Sequence, residues 1–140
     1  MDYDKQVARI REQNKPILAA FQQWLEAAGL SAKTIKTHIE NVDFFTEYLV
    51  YYEPLKRLAA ADADDFYSFS ADWFPRKAMW ASIASARSNL ASFRKFARFM
   101  HKTERWSAKQ ELEILDTLKA NRDELTKIAK RYDDQFSDNW

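Results

Sequence analysis

The sequence of 140 residues has no cysteine, one glycine, three prolines and two histidines. Without cysteine the chain can form no disulfide, no thiolate nucleophile and no cysteine–zinc site. A single glycine excludes a glycine-rich phosphate loop and a dinucleotide-binding fingerprint, and it disfavours tight hairpins. Two imidazoles argue against histidine-based metal sites and a hydrolytic triad. We therefore expect no metal and no cofactor.

Long hydrophobic runs are also missing. No apolar run approaches the roughly 20 residues that span a bilayer, so no transmembrane helix is expected. The first five residues lack the apolar core of an export signal. These absences predict a cytoplasmic protein without membrane contact, and the length fits one domain or one domain with a short appendage.

Apolar residues recur at spacings of three and four through most of the chain, which predicts an all-α fold. Pro16 predicts a kink or break in the first helix. Gly29 is predicted to end that helix in the left-handed conformation. Pro75 is predicted to end the third helix. Ser31 is the predicted N-cap of the second helix. The predicted helices cover about residues 2–28, 31–51, 62–75 and 79–102, with a fifth helical region over residues 107–136.

The fourth and fifth regions carry the clearest apolar faces. Ser107 and Gln110 have the spacing of a capping box at the start of the fifth region. The leucine side chains that follow must be buried against the preceding helices or against a second copy of the chain, because an amphipathic helix of this length is only marginally stable alone. The seam of the fourth helix comprises Met79, Ile83, Ala86, Leu90, Phe93, Ala97 and Met100. We expect Trp24, Ile39, Phe66, Leu90 and Phe93 to share one core.

The net charge of +1 conceals a strong local asymmetry. Residues 59–75 carry four acids and no base, whereas residues 76–105 carry eight bases and one acid, Glu104. A segment of +7 within a nearly neutral chain indicates an anionic partner.

The basic residues of the fourth helix fall on one face. At 100° per residue, five of them lie within about 80° of each other: Arg87, Arg94, Arg98, Lys102 and Arg105. Ser85, Ser88 and Ser92 occupy the adjacent sector. Cations beside small hydroxyl side chains suit a phosphate backbone. The alternative is a solvated face whose arginines pair with the acidic third helix.

The start of the second helix gives a weaker signal of the same kind. Its first turns contain Ser31, Lys33, Thr34, Lys36 and Thr37. Exposed amides at a helix N-terminus, with hydroxyls and lysines, form an anion site, although an ordinary N-cap with solubilising lysines has the same pattern. His38 is interpreted as a partly exposed helix residue and His101 as a helix-end residue, neither of them a ligand.

A degenerate motif spans the first two helices: Phe21-x-x-Trp24-Leu25-x-x-x-Gly29-Leu30-Ser31-x-x-Thr34-Ile35-x-x-His38-Ile39, then Phe45-x-x-Tyr48-Leu49. Later come Pro54-Leu55, Leu58, Asp65-Phe66, Ser82-Ile83, Ala86, Leu90 and Phe93-Arg94-x-Phe96-x-x-Phe99-Met100. In this order, over residues 15–103, the pieces resemble the N-terminal core-binding domain of tyrosine recombinases and phage integrases.

This resemblance implies a four-helix, SAM-like orthogonal bundle over residues 1–105 that clasps one side of a DNA duplex. Residues 106–140, which match nothing in the family pattern, are expected to form an additional C-terminal helical extension. In the family, the first turns of the second helix and the last long helix face the DNA. The predicted DNA-binding residues are Ser31, Lys33, Thr34, Lys36, Ser85, Arg87, Ser88, Arg94, Lys95, Arg98 and, from the stripe, Lys102.

The sequence lacks the motifs of the catalytic domain that enzymes of this family carry. Family enzymes continue into a domain with an arginine, a His-x-x-Arg pair and a nucleophilic tyrosine. Here His101 is followed by arginine only at position 105, and Tyr132 has no arginine pocket. We therefore expect no enzyme activity from this chain but a DNA-binding module, which is either a piece of a larger recombinase or a stand-alone relative.

The sequence leaves two other functional classes open. A helical protein–protein interaction module is the alternative, with the C-terminal helices as the element of a homo-oligomer. An enzyme is the least favoured hypothesis. The clustered carboxylates of Asp62, Asp64 and Asp65 could serve catalysis, but they lie at a helix start, which favours acids for structural reasons.

Overall fold

The computed structural model describes residues 2–78 and 81–138, with side chains as far as Arg131. Within these ranges the chain is helical and contains no strand, which confirms the all-α prediction. None of the described helices is both long and apolar enough to cross a membrane. The helices are α1 (Tyr3–Ala27), α2 (Ala32–Leu49), α3 (Ala63–Ser68), α4 (Phe74–Lys77), α5 (Ile83–Lys102) and α6 (Ala108–Asp138).

Helix α1 continues without interruption through Pro16, so the predicted break there is wrong. The preceding turn is held in place by Asn14, whose buried Oδ1 accepts a hydrogen bond of 2.8 Å from the Leu58 amide. Pro16 removes one helical hydrogen bond, to the Glu12 carbonyl. Both residues are exposed, so water can satisfy that carbonyl and the helix persists.

The boundary between α1 and α2 follows the prediction. Gly29 has a φ of +80°, the left-handed conformation that favours glycine. Ser31 is the N-cap of α2, where its side chain accepts a hydrogen bond from the Thr34 amide. These two local signals fix the turn that brings α2 back against α1.

The third helical region is longer than predicted and does not end at Pro75. Asp62 and Asp65 form the capping box at its start. After α3, residues Phe69–Trp73 form a π-helical turn in which the Phe74 amide donates to the Phe69 carbonyl, five residues back. Pro75 then lies in the first turn of α4, directly after the π-helical turn. The chain therefore remains helical to Lys77.

Helix α5 begins at Ile83 and not near residue 79 as predicted. Ser82 and Ser85 form a capping box in which each side chain accepts a hydrogen bond from the other's amide, at 3.1 and 2.8 Å. These bonds satisfy two amides that a helix start leaves free, and they set the first turn. Met79, the predicted first member of the seam, lies outside the described residues.

Aromatic rings from α2, α3, the π-helical turn and α5 form the centre of the core. Phe45 lies 4.3 Å from Phe66 and 5.2 Å from Phe93, measured between ring centroids. Leu90 is buried beside them, as predicted. The other two predicted core residues, Trp24 and Ile39, are partly buried and pack against this cluster.

Helix α6 is a single helix, and its start matches the predicted capping box. The Gln110 amide donates to Ser107 Oγ at 3.1 Å, and the Ser107 amide donates to Gln110 Oε1 at 2.8 Å. Ile114 and Leu118 are buried in the core that the preceding helices share. Helix α6 is therefore packed against the other helices along its first three turns.

Candidate nucleic-acid interface

Three exposed arginines form a line on the outer face of α5. Arg87, Arg94 and Arg98 are seven and four residues apart, so they cover about 16 Å along one side of the helix. No carboxylate among the described side chains lies within 4 Å of any of them. We call these three residues the arginine stripe. Its charges are available to an external anion.

The same face of α5 ends in two further bases. Lys102 is exposed in the last turn of the helix. The Arg105 guanidinium lies 5.3 Å from the centroid of the Phe99 ring, a cation–π contact. The five bases predicted from the sequence therefore lie along α5 and the loop that follows it, from Arg87 to Arg105.

Three of the four acids of the third helical region pair with bases outside the arginine stripe. Asp62 and Asp65 pair with Lys56, at 3.3 and 2.8 Å, and Asp72 pairs with Arg76 at 2.8 Å. The alternative in which the stripe neutralises these acids has no support among the described ion pairs. Among all the residues that the structure describes, no three histidine or acidic side chains lie close enough together to bind a metal ion.

The serines of α5 do not form the open row of hydroxyls that the sequence predicted. Ser92 is fully buried, and its Oγ lies 2.7 Å from His38 Nδ1. Asn41 Nδ2 donates to both Ser88 and Ser92, at 3.0 and 2.9 Å. Ser85 belongs to the capping box at the helix start. These hydroxyls bind α5 to α2 and to its own first turn.

His38 is buried, with 7% of its surface exposed, so the prediction of a partly exposed residue is wrong. It lies on the face of α2 that packs against α5, where it bonds to Ser92. Burial lowers the pKa of the His38 imidazole, and the nearby positive charge of Lys95 lowers it further. His38 is therefore a neutral structural link between two helices near neutral pH.

We expect the stability of the protein to fall as the pH drops below about 6.5, the usual pKa of histidine. In the unfolded chain His38 takes up a proton in that range, whereas the folded protein resists protonation until the pH falls through the lowered pKa. The unfolded state then binds more protons and is favoured. Urea denaturation at pH 7.5 and 5.5 should show a larger loss for wild type than for His38→Gln. Equal losses would contradict this role.

The start of α2 lies apart from the arginine stripe. Ser31 and Thr34 bond to each other, and Lys36 Nζ lies 3.7 Å from Glu40 Oε1. At 100° per residue, Lys33 and Lys36 are about 140–160° around α2 from His38, which faces α5. The two exposed lysines therefore occupy the outer side of α2 and do not extend the stripe.

A groove of about 480 Å³ lies between α5 and α6, along the arginine stripe. Its floor is apolar and is formed by Leu90, Ala91, Leu112, Leu115 and Leu118. Its charged residues are Arg87, Arg94, Arg98, Lys119, Arg122 and one acid, Asp116. Sequence reasoning missed this groove, because it depends on how α6 packs beside α5. We call it the α5–α6 groove.

No family model, no curated protein and no solved structure matches this chain. The resemblance to the core-binding domain of tyrosine recombinases therefore rests on the motif residues alone and stays a prediction.

Proposed function

We propose that this chain is a non-catalytic DNA-binding module whose arginine stripe contacts the phosphates of a duplex. The observation that carries the proposal is the line of three exposed arginines without a carboxylate partner in the described part of the chain. Duplex DNA presents one negative charge per roughly 1.7 Å of its axis. A line about 16 Å long can meet several phosphates at once, and guanidinium groups match phosphate geometry.

The integrase-like motif supports the same proposal. It implies that α1, α2, the region of α3 and α4, and α5 form the SAM-like bundle, with α5 and the first turns of α2 towards DNA. Lys33 and Lys36 then form a second contact, separate from the stripe, on the outer side of α2. Such a module acts in DNA integration or recombination together with a catalytic domain, and its place is the cytoplasm, where DNA is accessible.

Titration of a labelled duplex at several salt concentrations tests the stripe. The wild type is compared with Arg94→Ala combined with Arg98→Ala, two exposed positions whose loss leaves the core intact. Each phosphate contact contributes about 0.9 to the slope of log affinity against log salt. The double variant should therefore bind more weakly at low salt, with a slope shallower by about two.

The matched control removes two exposed bases from α1, Lys5→Ala with Arg9→Ala, and should leave the slope unchanged. A third variant, Lys33→Ala with Lys36→Ala, tests the second contact and should also reduce the slope. Unchanged binding in the Arg94 and Arg98 variant would move the site away from the stripe. Equal losses in the control would show only a non-local charge effect.

Protein–protein interaction is a second candidate function, and the α5–α6 groove favours it. Leu112 lies in the groove with 60% of its surface exposed. A phosphate backbone offers nothing apolar to cover such a side chain, whereas an amphipathic helix does.

A further inference from the structure

The α5–α6 groove carries an excess of positive charge on both of its sides. The arginine stripe lines the α5 side, and Lys119 and Arg122 line the α6 side. A single acid, Asp116, lies among these five bases. Within the described part of the chain, none of the five has a carboxylate within 4 Å. The groove therefore offers its charge to an acidic ligand.

The floor between the two rows of bases is apolar and partly open. Leu90 and Leu118 are 5% and 4% exposed and close the bottom of the groove, whereas Leu112 at one end is 60% exposed. Burial of such an apolar side chain against another apolar surface is favourable. A matching ligand therefore brings apolar groups to the floor as well as acids to the sides.

The bases are spread along the groove and are not gathered at one end. The α5 side measures about 16 Å from Arg87 to Arg98, and the α6 side about 21 Å from Leu112 to Thr126. Lys119 is halfway along the α6 side. A fatty acid, with one anionic head, would meet the bases at one level and leave the others unpaired.

An α-helix with an apolar face can satisfy both the floor and the bases. Its apolar side chains recur three, four and seven residues apart, as in helix-in-groove recognition. Acidic residues on the two edges of that face lie on either side of the apolar row. A DNA duplex presents phosphates to the arginine stripe, but its backbone has no apolar side chains for the floor.

We propose that the α5–α6 groove binds an amphipathic helix of a partner protein, with acidic residues along both edges of its apolar face. Because α-helices share a rise of about 1.5 Å per residue, a helix lying along α5 meets Arg87, Arg94 and Arg98 with acids at the same separations, seven and four residues. Acids three residues apart on its other edge meet Lys119 and Arg122. Three to four turns of this helix fill the groove.

Occupation of the groove has a consequence for DNA binding. The acids of the partner helix and the phosphates of a duplex pair with the same three arginines, so the partner helix releases DNA from the arginine stripe. This competition rests on the proposed function, whereas the binding of the helix does not.

A synthetic peptide of about 18 residues, five helical turns, is the probe for the groove. It carries leucines on one face, glutamates on both edges of that face and alanine and glutamine elsewhere. Anisotropy of the labelled peptide, titrated with the full chain, should give a dissociation constant on the order of micromolar. One control peptide has the glutamates opposite the leucines, and a second has lysine in place of glutamate. Both should bind about tenfold more weakly or worse.

Variants of the chain separate the floor from the bases. Leu112→Asn should weaken peptide binding about tenfold and leave duplex binding unchanged. Arg94→Ala with Arg98→Ala should weaken both. Asp116→Asn should strengthen peptide binding about twofold, because it removes the one acid of the groove. Tyr67→Ser is the control, since Tyr67 is similarly exposed but does not line the groove. A thermal melt checks that each variant is folded.

The outcomes distinguish the helix site from the proposed function. Equal binding of the three peptides, no binding of the acidic peptide, or binding that folded Leu112→Asn leaves unchanged overturns the helix site. Displacement of the peptide by an equal concentration of dodecanoate overturns it too, in favour of a single-headed amphiphile. Peptide binding with the expected variant effects but no duplex binding overturns the proposed function alone. A bound duplex that the peptide does not displace overturns the competition.

Discussion

Ile114→Ala combined with Leu118→Ala is expected to lower the free energy of unfolding by about 4–10 kcal/mol, because each buried aliphatic truncation costs about 2–5 kcal/mol. Ile114 and Leu118 are 1% and 4% exposed and join α6 to the core of the other helices. Domains unfold with about 5–15 kcal/mol in total. The double variant should therefore be close to unfolded at 25 °C.

Leu112→Ala on the same helix is the matched control, because Leu112 is 60% exposed. It removes the same number of carbon atoms as Leu118→Ala but should change the unfolding free energy by only about 0.5 kcal/mol. Urea denaturation followed by circular dichroism measures both. If the double variant is as stable as Leu112→Ala, then α6 is a passive extension and does not share the core.

Phe93→Ala is the second substitution with a large expected effect. The Phe93 ring is fully buried and lies 5.2 Å from the rings of Phe45 and Phe66 and 5.4 Å from that of Phe69. Its removal leaves a cavity where α2, α3 and α5 meet, which costs about 3–5 kcal/mol. A thermal melt should show a midpoint lower by roughly 10–20 °C.

Tyr67→Ala is the control for the loss of an aromatic ring, since Tyr67 is 55% exposed. Its midpoint should stay within about 3 °C of wild type. A Phe93→Ala variant that melts with this control would contradict the placement of Phe93 at the centre of the core. Retained secondary structure with a broad, non-cooperative transition would instead agree with a loosened core.

Features that depend on neighbouring residues could be predicted from the sequence. The Ser107–Gln110 capping box follows from two residues three positions apart. The left-handed turn follows from the single glycine, Gly29. The burial of Leu90 and Phe93 follows from apolar residues at spacings of three and four. Such signals act within one or two turns, so no knowledge of the tertiary arrangement is needed.

Features that depend on distant contacts could not be predicted. Helix α1 continues through Pro16, and Asn14 in the preceding turn bonds to Leu58, 44 residues away. The third helical region continues through Pro75 after a π-helical turn. For both prolines, local propensity indicated a break, but the chain stays helical at each of them.

The candidate site could be predicted only in part from the sequence. The arginine stripe follows from the spacing of Arg87, Arg94 and Arg98 on one helix. The burial of His38 had a usable signal, because His38 is four and seven residues before Val42 and Phe45 on the apolar face of α2. The α5–α6 groove had none, since it is formed by two helices whose relative position no local pattern specifies.

The salt dependence of duplex binding by the wild-type chain tests the central claim most directly. Three arginines that each neutralise one phosphate give a slope of log affinity against log salt of about −2.7. We therefore predict measurable binding at about 50 mM salt and a slope of about −2.7 or steeper. A chain that binds no duplex at about 50 mM salt, or that binds with a slope near zero, would contradict phosphate recognition by the arginine stripe.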